Sequence, residues 1–232
     1  MEHFSRFGWI ARCSILSAFA IAGLAIAGGG MIDDGPVAVG RFDIPSEFVL
    51  LGPPSSELPE PEPGSPFDSS AGSAVIAFPA EWLAARIPGY STMNGRLELR
   101  ANGMFYDGPD TPKAREAWLA SVQAELKDGP CGYGARCEPL GPYCGSHTSE
   151  NSLYGYVLRS CDSVPQTTDD VIGTYGEFHC AICTGGYQVV IHVRQFIDGA
   201  QVDYRIDILN LAHMEQIMKT VSAEVLRWKK RV

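Results

Sequence analysis

Positive charge is scarce in this chain. Against 27 Asp and Glu stand 18 Lys and Arg, for a formal net charge of −9 over 232 residues. The first 27 residues hold Glu2, Arg6 and Arg12, so the remainder carries −10. A body of that sign repels phosphate backbones, which argues against nucleic acid and for a protein partner, a basic one by charge. Catalytic signatures are missing too. The chain has no nucleophile elbow, no P-loop, no H-E-x-x-H helix and no dinucleotide-binding glycine fingerprint. It has no internal repeat. Haem attachment needs His directly after the second cysteine of a C-x-x-C pair, but Thr184 follows Cys183 and His179 lies on the wrong side. A structural zinc site wants two such knuckles, and Cys180-Ala181-Ile182-Cys183 is a single one, with Cys131, Cys137 and Cys144 spaced widely and unevenly. No metal and no cofactor are expected.

What is present begins with an export signal. Arg6 and Arg12 precede an uncharged run, Cys13 to Ile32, and Asp33-Asp34 follow it. Basic before and acidic after keeps the N-terminus in the cytoplasm and sends the rest across the membrane. Ala25-Ile26-Ala27 fits a small-x-small cleavage site, yet the run is also as long as a thin span, so residues 1–32 are a signal peptide or a signal anchor. Retained, residues 15–32 hold the chain in the inner membrane; cleaved, it is free in the periplasm. Cys13 precedes the apolar run, so it is not placed as a lipoprotein cysteine.

Export gives the other six cysteines a meaning. Cys131, Cys137, Cys144, Cys161, Cys180 and Cys183 all fall in one half of the chain, and an even number in an oxidising compartment predicts disulfides. Residues 33–73 read as a Pro/Ser/Glu-rich linker with one short strand between Val37 and Leu51. The exported domain is expected over 74–232, where 45% apolar composition in the whole chain suffices for a core.

Within it, Ala74 to Phe78 reads as a buried strand, Pro79 opens a short helix, and Arg96 to Ala101 alternates as a second strand. Asp110-Thr111-Pro112 starts a helix with Trp118, Leu119, Val122 and Leu126 on one stripe, ended by Gly129-Pro130. Residues 131–150 read as a loop, and Leu153 to Ser160 as a strand. From Leu211 to Trp228 apolar residues recur at helical spacing. The fold class expected is α+β: a two-layer, disulfide-stapled domain, mostly antiparallel sheet with helices packed on one face.

Two turns set the expected register of a three-stranded run from Gly176 to Leu209. Asp198-Gly199 as a two-residue hairpin loop places Val193 opposite Tyr204 and Ile191 opposite Ile206. Gly185-Gly186 as a second such loop places Thr184 opposite Tyr187, and Phe178, Cys180 and Ile182 beside Val193, Ile191 and Val189. In that register Cys180 and Cys183 lie inside a strand facing opposite sides, each bonded to a different partner. The outer face then carries Glu177, Arg194 and Asp203 in one row and His179, His192 and Arg205 in the next, a polar surface on which a partner could dock. A metal held by the two histidines with His147 or Glu177 is disfavoured by the fixed charge of Arg205.

No family's residue motif is present. In architecture alone the chain is similar to small exported bacterial proteins that bind a toxin in the periplasm. That likeness implies a non-enzymatic binding protein acting by protein contact, of inhibitor or immunity type. The alternatives are a periplasmic thiol-disulfide redox protein using Cys180 and Cys183, and a small-ligand or cell-wall binding domain.

Overall fold

The chain's pivotal turn is Asp198-Gly199, where both residues take positive φ, 46° and 83°. A right-twisted hairpin closed by two residues requires this, and Asp-Gly tolerates it. In a computed structural model that describes residues 35–51, 72–108, 112–132, 136–147 and 154–230, the turn joins β12 (Tyr187–Ile197) to β13 (Ala200–Asp207). The expected export segment and the Pro-rich run over 52–71 lie outside these residues. Ile197 faces Ala200, Val193 faces Tyr204 and Ile191 faces Ile206, as the turn dictates.

The hairpin sits at the centre of a nine-stranded sheet that is antiparallel throughout. On one side β13 pairs with β7 (Ala101–Asp107), then β4 (Ser73–Phe78) and the edge strand β3 (Val49–Leu51). On the other side β12 pairs with β11 (Val171–His179), then β10 (Tyr154–Leu158), β9 (Tyr143–His147) and β8 (Arg136–Leu140). The domain is thus mostly antiparallel sheet, as expected, and has few helices. The run 131–150, expected as a loop, contributes the β8–β9 hairpin. Between β4 and β7 lie α1 (Ala80–Ala84) and a small separate hairpin, β5 (Met93–Asn94) with β6 (Leu97–Glu98). Among the described residues no helix is long and apolar enough to cross a membrane.

One face of the sheet is apolar, and α3 (Met214–Trp228) covers it. Ile191, Val193, Val202, Tyr204 and Ile206 meet Met214, Ile217, Val221, Val225 and Trp228 there, all buried. The α3 stripe recurs every three to four residues, which keeps one side of a helix on the sheet. At the end of α3, Phe78 stacks on Trp228 with centroids 5.7 Å apart, and Phe48 and Trp82 close the cluster.

Three expectations need correction. First, Val37 to Leu51 is not linker. β1 (Val37–Val39) and β2 (Phe42–Ile44) pair with each other, and Val39, Phe42, Ile44 and Phe48 are core residues. Arg41 clamps them to the sheet through the buried Asp107, donating from Nε at 2.9 Å and Nη2 at 2.6 Å. Second, the helices do not all lie on one face. α2 (Pro112–Glu125) packs on the reverse face, where Trp118 meets Phe196 and Arg115 lies 5.2 Å over the same ring. A second buried cluster of Val122, Leu126, Cys144, Tyr156, Leu158 and Val171 forms beneath it. Third, the β11–β12 register is displaced by five positions. His179, not Thr184, pairs with Tyr187, and Tyr175, not Cys180, pairs with Ile191. An odd displacement inverts the faces of the whole strand.

The cause is the loop 180–186, which closes on itself through a Cys180–Cys183 disulfide instead of extending the strand. Those two cysteines bond to each other, contrary to the expectation of separate partners. The remaining pairs are Cys131–Cys137 and Cys144–Cys161. The last spans 17 residues, so by chain entropy it stabilises most, by about 3 kcal/mol.

Phe78→Ala is expected to lower stability by about 3–5 kcal/mol in urea unfolding, whereas Leu226→Ala, at an exposed position of α3, changes it by less than about 0.5 kcal/mol. Thiol titration of the denatured, unreduced full chain should find Cys13 as the sole reactive thiol; a second would break the assigned pairing.

Candidate functional site

The reverse face of the sheet is where polar and aromatic groups meet solvent. Along one row the cross-strand partners run Asn102, Arg205, His192, Thr174, Tyr156, Ser146 and Cys137. α2 covers the Phe196 end and the second cluster, and the opposite end stays open.

At the open end Gly176 faces Tyr154 across β10 and β11. A Cβ on Gly176 would come within 2.7 Å of the Tyr154 ring, so only glycine lets that ring lie down on the strand. Phe178 stands edge-on to Tyr154 with centroids 6.4 Å apart, and His192 follows at 6.5 Å from Phe178. Tyr154 is 46% exposed and Phe178 41%. Two rings of this size left half in water on a rigid sheet have the composition of an interface anchor.

Charge is arranged farther along the same face. Arg194 grips Asp203 with two bonds, Nε at 2.9 Å and Nη2 at 2.8 Å, and Gln201 donates to the same carboxylate at 2.9 Å. Burial, and then the charge of Asp203, raise the neighbouring Tyr106 hydroxyl. His192 is pushed down to about 4, chiefly by burial and further by Arg205, with Asp203 opposing. At neutral pH it is therefore an uncharged ring, able to donate from one nitrogen and accept at the other.

Four of the six expected surface residues share this face: His192, Arg194, Asp203 and Arg205. The Arg194–Asp203 and His192–Arg205 pairs stand as read. Glu177 and His179 do not join them. Glu177 pairs with Val189 on the α3 face, and His179 pairs with Tyr187, its ring 5.6 Å away. The five-position displacement exchanged them for Gly176 and Phe178. The missed signal was Cys-x-x-Cys itself, because two cysteines three apart bond to each other only where the chain turns.

His147 also lies on the α3 face, so it cannot share a metal with His192. It is buried, its Nε2 in contact with the Tyr175 hydroxyl and 3.0 Å from Glu138 Oε1. Burial, then Glu138, raise the Tyr175 hydroxyl. The trio ties β9 to β11 and β8. A shallow cleft of about 290 Å³ lies between the β8–β9 turn and the segment Arg159 to Cys161.

The docked loop 180–186 borders the open patch. Asn94 accepts from the Thr184 N–H at 3.0 Å and donates to Asp207 at 3.4 Å, while Arg96 N–H bonds the Ile182 carbonyl at 3.0 Å. Gly95, at φ 61°, has that carbonyl 2.6 Å from where a Cβ would stand, so the contact demands glycine. No protein-family model, no curated protein and no solved structure matches the chain.

The half-buried His192 makes a stability prediction with a definite sign. Its folded pKa, about 4, lies below its unfolded value near 6.5, so the unfolded chain takes up the extra proton between these pH values. Stability should then fall from pH 6.5 to 4, by up to about 3 kcal/mol from this group. In His192→Gln that part of the slope is expected to vanish in urea unfolding followed against pH.

Proposed function

We propose that this is an exported, non-enzymatic binding protein that acts by protein contact in the periplasm, docking its partner on the open end of the reverse sheet face. The observation that carries this reading is the exposed Tyr154–Phe178 pair seated over Gly176, with the His192 ring beside Phe178. Flat aromatic anchors on a rigid sheet lose little conformational entropy on binding, which is why such groups dominate interface energetics. The net charge of −9 favours a basic exported protein as partner and speeds its encounter. Three disulfides suit an oxidising compartment. An inhibitor or immunity role fits these properties, and retention of residues 15–32 would place it at the inner membrane.

A second reading has one observation in its favour. Cys180 and Cys183 are bonded to each other in a C-x-x-C spacing, as in thiol-disulfide redox proteins. Their setting supports it poorly, since the pair closes a hairpin loop and no helix N-terminus lies there to stabilise a thiolate. Equilibration with a glutathione buffer separates the two: a redox pair is reduced within the range of that couple, and a staple resists it.

The main test is a crosslinking pull-down from the native host, followed by calorimetry with the purified partner. Phe178→Ala should weaken binding by about tenfold or more, while Leu226→Ala on the far side of α3 leaves it unchanged. Equal affinity in both variants, or no copurifying protein, would refute the docking surface.

A further inference from the structure

Two of the disulfides meet. The sulfurs of Cys131, Cys137 and Cys161 all lie within 4.8 Å of one another, and Cys144, bonded to Cys161, brings a fourth sulfur to the edge of this group. They come from four separate places: the turn after α2, β8, β9, and the segment after β10. From this geometry we propose that the chain has a second covalent state, in which both disulfides are reduced and the four thiolates hold one Zn²⁺.

Zn²⁺ takes four thiolates at about 2.3 Å in a tetrahedron, which sets the sulfurs about 3.8 Å apart. Once the two bonds are broken, each of the four side chains is free to turn about χ1 toward that spacing. Convergence does not depend on the disulfides alone. The Ser146 hydroxyl, fully buried, donates to the Pro130 carbonyl at 2.6 Å and fixes the backbone beside Cys131. Cys137 and Cys144 ride on paired strands of the β8–β9 hairpin, at Cys137 opposite Ser146 and Cys144 opposite Pro139. Gln123 ties α2 to the Pro165 carbonyl at 2.7 Å, and the Arg159 N–H bonds the Asp170 carbonyl at 2.9 Å, which holds the segment bearing Cys161. Cys144 is buried in the apolar cluster under α2, whereas Cys131 is exposed, so a reductant reaches the outer pair first.

The chemistry balances with one class of co-reactant. Each disulfide takes two electrons and two protons from an external dithiol, which leaves as its own disulfide. The four thiols then release their protons as they ligate Zn²⁺. An external disulfide run in reverse re-forms both bonds and frees the metal. Soft, charge-dense thiolate ligation selects Zn²⁺ over Mg²⁺ or Ca²⁺. The sequence spacing alone argued against such a site, because it lacks paired knuckles; the sheet supplies the convergence that the spacing does not.

The test uses the full chain, reduced anaerobically with a phosphine. Titration with Co²⁺ should give a one-to-one complex with tetrahedral thiolate absorption, displaced by Zn²⁺, lost in Cys131→Ser and in Cys144→Ser, and retained when Cys180 and Cys183 are both replaced by Ser. Alkylation with iodoacetamide, mapped by mass spectrometry, keeps the test valid if a variant fails to fold. Zn²⁺ should slow modification of Cys131, Cys137, Cys144 and Cys161 by about tenfold or more and leave Cys180 and Cys183 unprotected. Absence of a tetrahedral thiolate spectrum, a complex that survives Cys144→Ser, or protection centred on Cys180 and Cys183 would each overturn the proposal.

Discussion

Main-chain pairing across the β12–β13 hairpin is the constraint on which the rest depends. Asp198-Gly199 admits one two-residue turn, the turn admits one register, and the period of two then assigns every side chain to a face. The face with Ile191, Val193, Tyr204 and Ile206 must be covered, and α3 carries a matching stripe. The other face inherits Arg194, Asp203, His192 and Arg205. Core and candidate surface are thus two consequences of a single turn.

Around that centre the protein deals with its edges. β3 and β8 are the outer strands, and both are short. β8 carries Arg136, Glu138 and Pro139, and charge together with a missing N–H discourages a further strand from adding on. At the other side, β1 and β2 fold over the aromatic cluster, and Arg41 holds Asp107 in place, so a buried carboxylate is satisfied by a side chain that remains half in solvent. The buried carboxylates of Asp207 and Glu224 likewise accept hydrogen bonds, from the Leu209 N–H and the Trp228 Nε1–H.

The disulfides act on this sheet in two ways. Cys180–Cys183 shapes a loop that docks on Asn94 and Gly95 and so fixes where β11 ends. The position of that end decides which of Gly176, Glu177, Phe178 and His179 face the open patch. Cys131–Cys137 and Cys144–Cys161 lock the edge hairpin to α2 and to the segment after β10. The proposed docking surface and the proposed metal site lie on the same sheet face, one at each end of the strands that α2 covers.

Much of this architecture was legible in the chain, and the part that was not has a physical reason. Local signals sufficed wherever a residue's own preference decided the outcome: Asp198-Gly199 for the hairpin, the apolar spacing from Met214 to Trp228 for α3, and Thr111-Pro112 for the start of α2, which ends at Glu125, ahead of Gly129-Pro130. The even cysteine count likewise announced disulfides. Pairing between segments was another matter. Gly185-Gly186 looked locally like a hairpin turn, and the Cys180–Cys183 bond and the anchor at Asn94 overrode it, moving Phe178 into the patch and Glu177 out. Val37 to Phe48 looked like linker because its few apolar residues have no face of their own, and only Phe105, Trp82 and Trp228 give them one. The sequence by itself determined the turns, the helices and the alternation of the central strands, since these rest on backbone preference and short-range period. Tertiary structure alone decided the β11 register, the face taken by α2 and the approach of the Cys131–Cys137 and Cys144–Cys161 bonds to each other, because each depends on contacts between segments far apart in the chain.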